Sequence, residues 1–290
     1  MKLLVLGASG MAGHIVALYF QEKGWEVTGI ARTRPERLPL PFLTADLETQ
    51  DGLEKATRSG SYDAIINCAG ILNQDATDHP ARAIFINSYL PHWLVNRFHG
   101  TPTRILHLST DCVFSGKTGS YTEAAFRDGD TLYDRSKALG EFNNDKDLVF
   151  RQSIIGPDLR PSGIGLLNWF LQQQGPIQGY TNAMWNGITT LELAQGLEAA
   201  LEQGLTGLYH LVAPIPISKH ELLTLSGLVL DHSLLVAPVP LPWTVDKTLV
   251  CTRSDFGYHP PCYESQILNL RGWMERHATL YPHYALPLAR

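Results

Sequence analysis

Four cysteines in 290 residues are few, and Cys68, Cys112, Cys251 and Cys262 are widely separated with no CxxC among them. No secretory signal precedes them, so a disulfide framework is not expected and a reducing, cytoplasmic setting is. Basic runs are also missing. The net charge is −5, and no stretch interleaves Lys or Arg with aromatics, which excludes a nucleic-acid surface. Long apolar runs are absent too. The opening Met1-Lys2-Leu3-Leu4-Val5-Leu6 runs into Gly7 and Gly10, too short for a signal core, and nothing later approaches a membrane span, so a soluble protein with no membrane partner is expected. The eleven histidines show no HxxxH spacing, and no catalytic metal is expected. There is no internal repeat and no low-complexity segment.

What is present is an ordinary globular composition, 44% hydrophobic, ample for one large or two modest cores. Lys2 to Leu6 reads as a buried strand, Met11 to Lys23 as an amphipathic helix with Ile15, Leu18 and Tyr19 inward, and Trp25 to Ile30 as a second strand. Between the first strand and the helix lies Gly7-Ala8-Ser9-Gly10-Met11-Ala12-Gly13. Its spacing is GxxGxxG rather than GxGxxG. Its place between strand and helix is what predicts a dinucleotide site, because glycines allow a tight turn and let a pyrophosphate approach a positive helix N-terminus. Gly7, Ser9, Gly10, Met11 and Gly13 are the candidate contacts.

An NAD site usually carries an acid at the end of the second strand, about 20 residues past the glycines. Here the chain reads Ile30-Ala31-Arg32-Thr33-Arg34, and Arg32 suits a 2′-phosphate, so NADPH is preferred while NADH stays possible as cofactor. Phe42 to Leu47 reads as a third strand. Asp46 at its end, with Leu47, either meets an adenine or caps a helix beginning near Glu48. Asp63 to Asn67 reads as a fourth strand running into Cys68, Ala69 and Gly70, which should line the cofactor crevice with Asn67. Pro80 to Phe98 reads as one long helix carrying Asn87 among apolar neighbours. Arg104 to Leu108 is a fifth strand, ending in Ser109-Thr110-Asp111-Cys112.

Thr131 to Glu141 reads as a helix holding Tyr133 and Lys137, four apart and therefore on one face. A phenol ionises near pH 10, and a cation held beside it moves that value toward neutrality, which suits proton exchange with a carbonyl. Leu148 to Gln152 is a sixth strand. Beyond it, Pro and Gly mark an exit from regular alternation: a helix from about Ile164 to Gln173, a loop from Gln178 to Gly187, a helix from Thr190 to Glu202, a strand Gly207 to Leu211 and a final helix from about Glu264 to His277. The expected class is α/β, a Rossmann-type doubly wound parallel sheet with a smaller C-terminal substrate-binding lobe. Residues 1–152 form the dinucleotide-binding part and 153–290 the lobe, of which about 187–212 returns to the sheet.

The glycine turn, Ser109-Thr110-Asp111, and Tyr133-x-x-x-Lys137, in this order, resemble the extended short-chain dehydrogenase/reductase family. Within it the chain is most similar to the branch of dTDP-4-dehydrorhamnose reductase and related nucleotide-sugar 4-ketoreductases. Arg135-Ser136-Lys137-Ala138-Leu139-Gly140-Glu141 and Gly207-Leu208-Tyr209-His210-Leu211 extend the match. The resemblance implies NADPH-dependent reduction of the 4-keto group of a nucleotide-linked 4-keto-6-deoxy sugar. Thr110 would hydrogen-bond the carbonyl, Tyr133 would donate the proton, and Lys137 would bind the nicotinamide ribose and lower the Tyr133 pKa. It also implies that Asn87 supports the lysine, and that a small-molecule nucleotide sugar is the partner, with a homodimer open.

Two departures from that branch, Cys112 in the Ser-Thr-Asp run and no Trp in the stretch Arg151 to Ile155, point to a different sugar. Asp111, Cys112, Trp185 and Asn186 are its candidate contacts, and Cys112 reads as a small packing residue ahead of a proton donor. The alternatives are a nucleotide-sugar epimerase and a non-catalytic regulatory subunit resembling the methionine adenosyltransferase β subunit.

Overall fold

In the computed structural model, which describes residues 1–58 and 61–284, the first half of the chain alternates strand and helix. The order is β1 (Lys2–Leu6), α1 (Met11–Glu22), β2 (Glu26–Ala31), β3 (Phe42–Thr44), α2 (Gln50–Arg58), β4 (Ala64–Asn67) and α3 (Asn73–Asp78). It continues with α4 (Pro80–Ile84), α5 (Leu90–Arg97), β5 (Arg104–Leu108), α6 (Leu132–Leu139) and β6 (Leu148–Arg151). The strands pair in parallel in the spatial order β6-β5-β4-β1-β2-β3. The chain thus builds outward from β1 on one side and then jumps to β4 on the other. The crevice between the carboxyl ends of β1 and β4 is the switch point where ligands bind in such sheets.

The strands read as near-continuous apolar runs because both faces are covered. Leu3, Val5, Leu106, Leu148 and Phe150 enter one core, and Leu4, Leu6, Ile65, Ile105 and Val149 enter the other. The first helix differs from expectation. Instead of one inward stripe, Ala12 through Phe20 is buried throughout. The reason lies in the second half, where a later helix covers its outer side.

That half begins with β7 (Ile154–Ile155), α7 (Leu166–Leu171), β8 (Ile177–Tyr180), β9 (Ala183–Trp185), β10 (Ile188–Thr189) and α8 (Thr190–Glu202). It ends with β11 (Gly207–His210), β12 (Ile217–Ser218), α9 (Lys219–Val229), β13 (Val236–Val239), β14 (Val245–Asp246) and α10 (Tyr263–Arg276). Helix α8 is the one that packs on α1, and β11 pairs in parallel with β6 to make a seventh strand. Around these sit small sheets, β7 with β10, β8 with β13, and β9 between β12 and β14. The expected loop from 178 to 187 is therefore mostly strand. Helix α10 packs on α8 and α9.

Two other expectations need correction. The third strand stops at Thr44 and α2 starts at Gln50, with the Thr49 hydroxyl accepting the Gly52 N–H at 3.1 Å, so Thr49 rather than Asp46 caps it. The single helix from 80 to 98 is interrupted by a π turn over Phe85–Tyr89. Pro91 supplies the cause: it has no N–H to give the Asn87 carbonyl four residues back, and its ring crowds that carbonyl in a regular helix. Among the described residues no helix is long and apolar enough to cross a membrane.

Candidate active site

The glycine turn lies at the carboxyl end of β1 as its spacing predicts. Gly7 has φ +72°, and a Cβ there would meet the Ala69 backbone nitrogen at 2.9 Å, so only glycine lets the turn pass this close to the segment after β4. A Cβ on Gly13 would lie 2.2 Å from the Gly7 carbonyl oxygen, which makes Gly13 a packing requirement of the turn. Above the turn opens a cavity of about 170 Å³ lined by Gly7, Ser9, Gly10, Arg32, Asp46, Leu47, Cys68, Ala69 and Gly70. Glu48, Ile71, Arg82 and Ile86 complete it, and the sequence gave no sign of these four. A second cavity, about 440 Å³, shares Ser9 and Arg32 and adds Arg34, Arg37 and Arg160, an arginine-rich wall that suits a phosphate. Arg32 Nη1 is 3.1 Å from Glu48 Oε1, which also takes Arg82 Nε at 2.6 Å.

Three expected cofactor contacts lie elsewhere. Met11 does not line either cavity; its sulfur sits 2.8 Å from where a Gly165 Cβ would be. Asn67 is fully buried, with Nδ2 3.1 Å from His107 Nδ1 and Oδ1 accepting the Ala69 N–H at 3.1 Å. Asn87 is fully buried as well. Turned inward by the π turn, it accepts the Ile71 N–H at 2.9 Å and donates to the Ile71 carbonyl at 2.8 Å and to Ser136 Oγ at 3.0 Å. It therefore holds the middle of α6 and the cavity wall, and reaches Lys137 only through its neighbour Ser136.

Helix α6 opens on a capping box, Thr131 with Asp134, which fixes where its first turn begins. Tyr133 and Lys137 are both buried on its inner face, at 8% and 4% exposure. Opposite them the end of β5 delivers Ser109 and Thr110. Thr110 Oγ1 accepts the Cys112 N–H and donates to Asp111 Oδ1, both at 3.1 Å. Ser109 Oγ donates to Glu141 Oε1 at 2.5 Å. Glu141 in turn forms a two-pronged buried pair with Arg151, Nε at 2.8 Å and Nη2 at 2.6 Å. This clamp ties the C-terminal end of the Tyr–Lys segment to the ends of β5 and β6.

The electrostatics correct one expectation. The Tyr133 phenol is pushed above its ordinary value, chiefly by burial and next by Cys112, while a Thr110 hydrogen bond works the other way. Lys137 does not draw it down in this arrangement, because its Nζ is turned to the Leu108 carbonyl at 2.7 Å. Burial lowers Lys137 itself to about 8, against the pull of Glu141 and Cys68. The Cys112 thiol is pushed up to about 12 by burial and then by Asp111, so it stays protonated at neutral pH. What this arrangement offers is a neutral phenol and a threonine hydroxyl side by side, a donor pair for an oxygen that gains negative charge.

On the lobe side, Trp185 is buried at 3% exposure, stacked on Tyr263 with ring centroids 5.6 Å apart. Asn186 spends both ends of its amide on Leu249, at 2.7 and 3.0 Å. Both are thus structural, contrary to their expected place among sugar contacts. Two lysines that sequence reasoning missed stand nearer. Lys219 Nζ lies 4.4 Å over the Trp185 ring and is lowered to about 8 by burial, with Asp111 and Cys112 pulling upward. Lys247 faces the same Cys112 and Asp111 and is raised by them. Among the described residues no group of His, Cys, Asp or Glu is placed to hold a metal ion.

Comparison with known proteins gives a family and a fold. The family model described as RmlD substrate binding domain matches residues 1–225. A probable low-salt glycan biosynthesis reductase of Haloferax volcanii is 28% identical over 161 residues, 53% of this chain and 54% of that protein. The methionine adenosyltransferase 2 subunit beta of Danio rerio is 28% identical over 141 residues, 48% and 42% respectively. A dTDP-4-dehydrorhamnose reductase of Aggregatibacter actinomycetemcomitans is 30% identical over 142 residues, 48% and 45%. The chain spans about half the length of the curated relatives it matches. Among solved structures, a hypothetical dTDP-4-dehydrorhamnose reductase from Sulfolobus tokodaii superposes with a TM-score of 0.75 at 22% identity, covering 91% of this chain and 98% of that one. A dTDP-4-dehydrorhamnose reductase from Bacillus anthracis in complex with NADP gives 0.77 at 16% identity, covering 93% and 98%. At these identities the likeness concerns the fold.

Proposed function

The chain belongs to the RmlD substrate binding domain family, and on that premise we propose that it uses NADPH to reduce the 4-keto group of a nucleotide-linked 4-keto-6-deoxy sugar. The observation that carries the reading is the placement of Thr110, Tyr133 and Lys137 at the carboxyl end of β5, beside the cavity over the glycine turn. The turn and the wall from Cys68 to Gly70 fit a dinucleotide, since a Cβ on Gly7 would strike that wall. Arg32, Arg34, Arg37 and Arg160 favour one carrying a 2′-phosphate. When bound, the nicotinamide supplies the hydride.

The chain's own part is to hold the carbonyl oxygen and protonate it. Thr110 Oγ1 orients the carbonyl, and the Tyr133 hydroxyl, kept protonated by burial, gives its proton as the oxygen becomes an alkoxide. Lys137 positions the ribose. Residues 153–290 serve as the substrate lobe, and Lys219 and Lys247 suit the diphosphate of a nucleotide sugar beside Asp111. The printed functions of the Haloferax and Aggregatibacter relatives, both reductases, support this reading.

The test is incubation with NADPH and dTDP-, UDP- and GDP-linked 4-keto-6-deoxy sugars, following nicotinamide absorbance. The reading requires that at least one sugar consume NADPH and that Tyr133→Phe abolish it; no consumption with any sugar overturns it. A second reading, a subunit that serves a partner enzyme, is favoured by the similarity to methionine adenosyltransferase 2 subunit beta. It predicts dinucleotide binding without turnover of any sugar.

A further inference from the structure

We propose that His107 and Asn67 form a directional hydrogen-bond chain in which the protonation of Lys137 and the tautomer of His107 change together, linking the lysine to the wall of the cofactor cavity. The chain begins at the cavity. The Ala69 N–H donates to Asn67 Oδ1 at 3.1 Å, which fixes the amide and turns its NH₂ toward His107 Nδ1, also at 3.1 Å. Nδ1 is therefore the acceptor, and a neutral ring then carries its hydrogen on Nε2. Nε2 stands 3.4 Å from Lys137 Nζ, whose other contact is the Leu108 carbonyl at 2.7 Å.

All three side chains are buried, at 0%, 1% and 4% exposure for Asn67, His107 and Lys137, where unpaired donors are costly. An Nε2–H aimed at Nζ is satisfied by a neutral amine, which has a lone pair, and opposed by an ammonium, which has three donors and no acceptor. When Lys137 takes a proton, the ring must move its hydrogen to Nδ1. That hydrogen then faces the Asn67 NH₂, so the amide has to turn over, and the Ala69 N–H on the cavity wall loses its acceptor.

The surroundings allow this switch near neutrality. His107 is held neutral, well below its ordinary value, by burial first, then Lys137 and His92 of α5. The other groups facing Lys137 are the Cys68 thiol at the end of β4, held protonated by burial, and Glu141 and Tyr133 of its own segment, Glu141 being taken up by Arg151. The balance leaves Lys137 at about 8. The inference takes the proposed role of Lys137 as its setting, yet its readout needs no turnover.

The experiment is NMR of the full chain labelled with ¹⁵N histidine and ¹³C lysine, titrated across neutral pH. The expected result is that His107 carries its hydrogen on Nε2 above the Lys137 midpoint and on Nδ1 below it, with a shared midpoint. Asn67→Asp reverses the polarity, since a carboxylate only accepts; it should hold His107 in the Nδ1–H form throughout and raise the Lys137 midpoint by about one unit or more. A single His107 tautomer across the Lys137 titration, or a Lys137 midpoint unmoved by Asn67→Asp, overturns the proposal. Should Asn67→Asp not fold, the wild-type spectra alone decide. If the shared midpoint is found while no sugar is reduced, the chain of hydrogen bonds stands and the reductase reading falls.

Discussion

The two ends of the proposed reaction path are built differently. The cavity over the glycine turn is open and defined by backbone: a positive φ at Gly7, two strand ends and a helix N-terminus. The Tyr133–Lys137 site is buried and defined by side-chain partners drawn from far along the chain, namely Asn87, Ser109, Glu141, Arg151 and His107. Backbone geometry needs only a few glycines to be right and tolerates change around it. A buried polar network needs every member satisfied, so its pKa values and its stability depend on residues that never touch a ligand.

Replacing Tyr133 by Phe is expected to have the largest effect. Turnover should fall by about 10²- to 10⁴-fold while dinucleotide affinity stays within about twofold, measured by steady-state rates and by fluorescence titration. An equal loss of both would erase the distinction between the two regions. Glu141→Gln next tests the buried network alone. Removing one partner of the Arg151 pair should lower the unfolding free energy by about 3 to 5 kcal/mol in urea titration.

The glycine turn has a buried group beneath it, which sharpens the contrast. His14 donates from Nδ1 to the Gly10 carbonyl and accepts at Nε2 from Tyr281, both at 2.8 Å, and burial lowers it from 6.5 to about 4. The unfolded chain therefore binds a proton that the folded chain refuses. The stability His14 gives is complete above pH 6.5 and is lost as the pH falls toward 4, on the order of 3 kcal/mol, visible as a falling Tm that His14→Gln should flatten. Arg32→Ala should have the smallest effect, since the side chain is exposed. It should weaken NADPH by about tenfold, with NADH changed by less than about twofold. Equal losses would remove the phosphate argument.

The same contrast governs what could be read in the sequence. The α/β class, the strand order implied by a βαβ start and the bounds of α8 follow from local signals, apolar runs ended by glycine and a Thr189 cap. The π turn at Asn87 was not legible, because it arises from Pro91 acting on a carbonyl four residues back. The short strands between 177 and 189 were not either, since each has two to four residues and pairs with distant partners such as β13 and β14. Trp185 was misjudged for a related reason: its stacking partner Tyr263 lies 78 positions away. Lys219 and Lys247 carry no motif, and their approach to Asp111 exists only in the fold.

The most direct test is a single-turnover measurement with NADPH preloaded on wild type and on Tyr133→Phe, mixed with a dTDP-linked 4-keto-6-deoxy sugar or with whichever sugar the panel selects. The account predicts rapid loss of nicotinamide absorbance in the wild type and, in a variant that binds NADPH as tightly, a rate lower by about 10² or more. Equal rates in the two proteins would contradict Tyr133 as the proton donor.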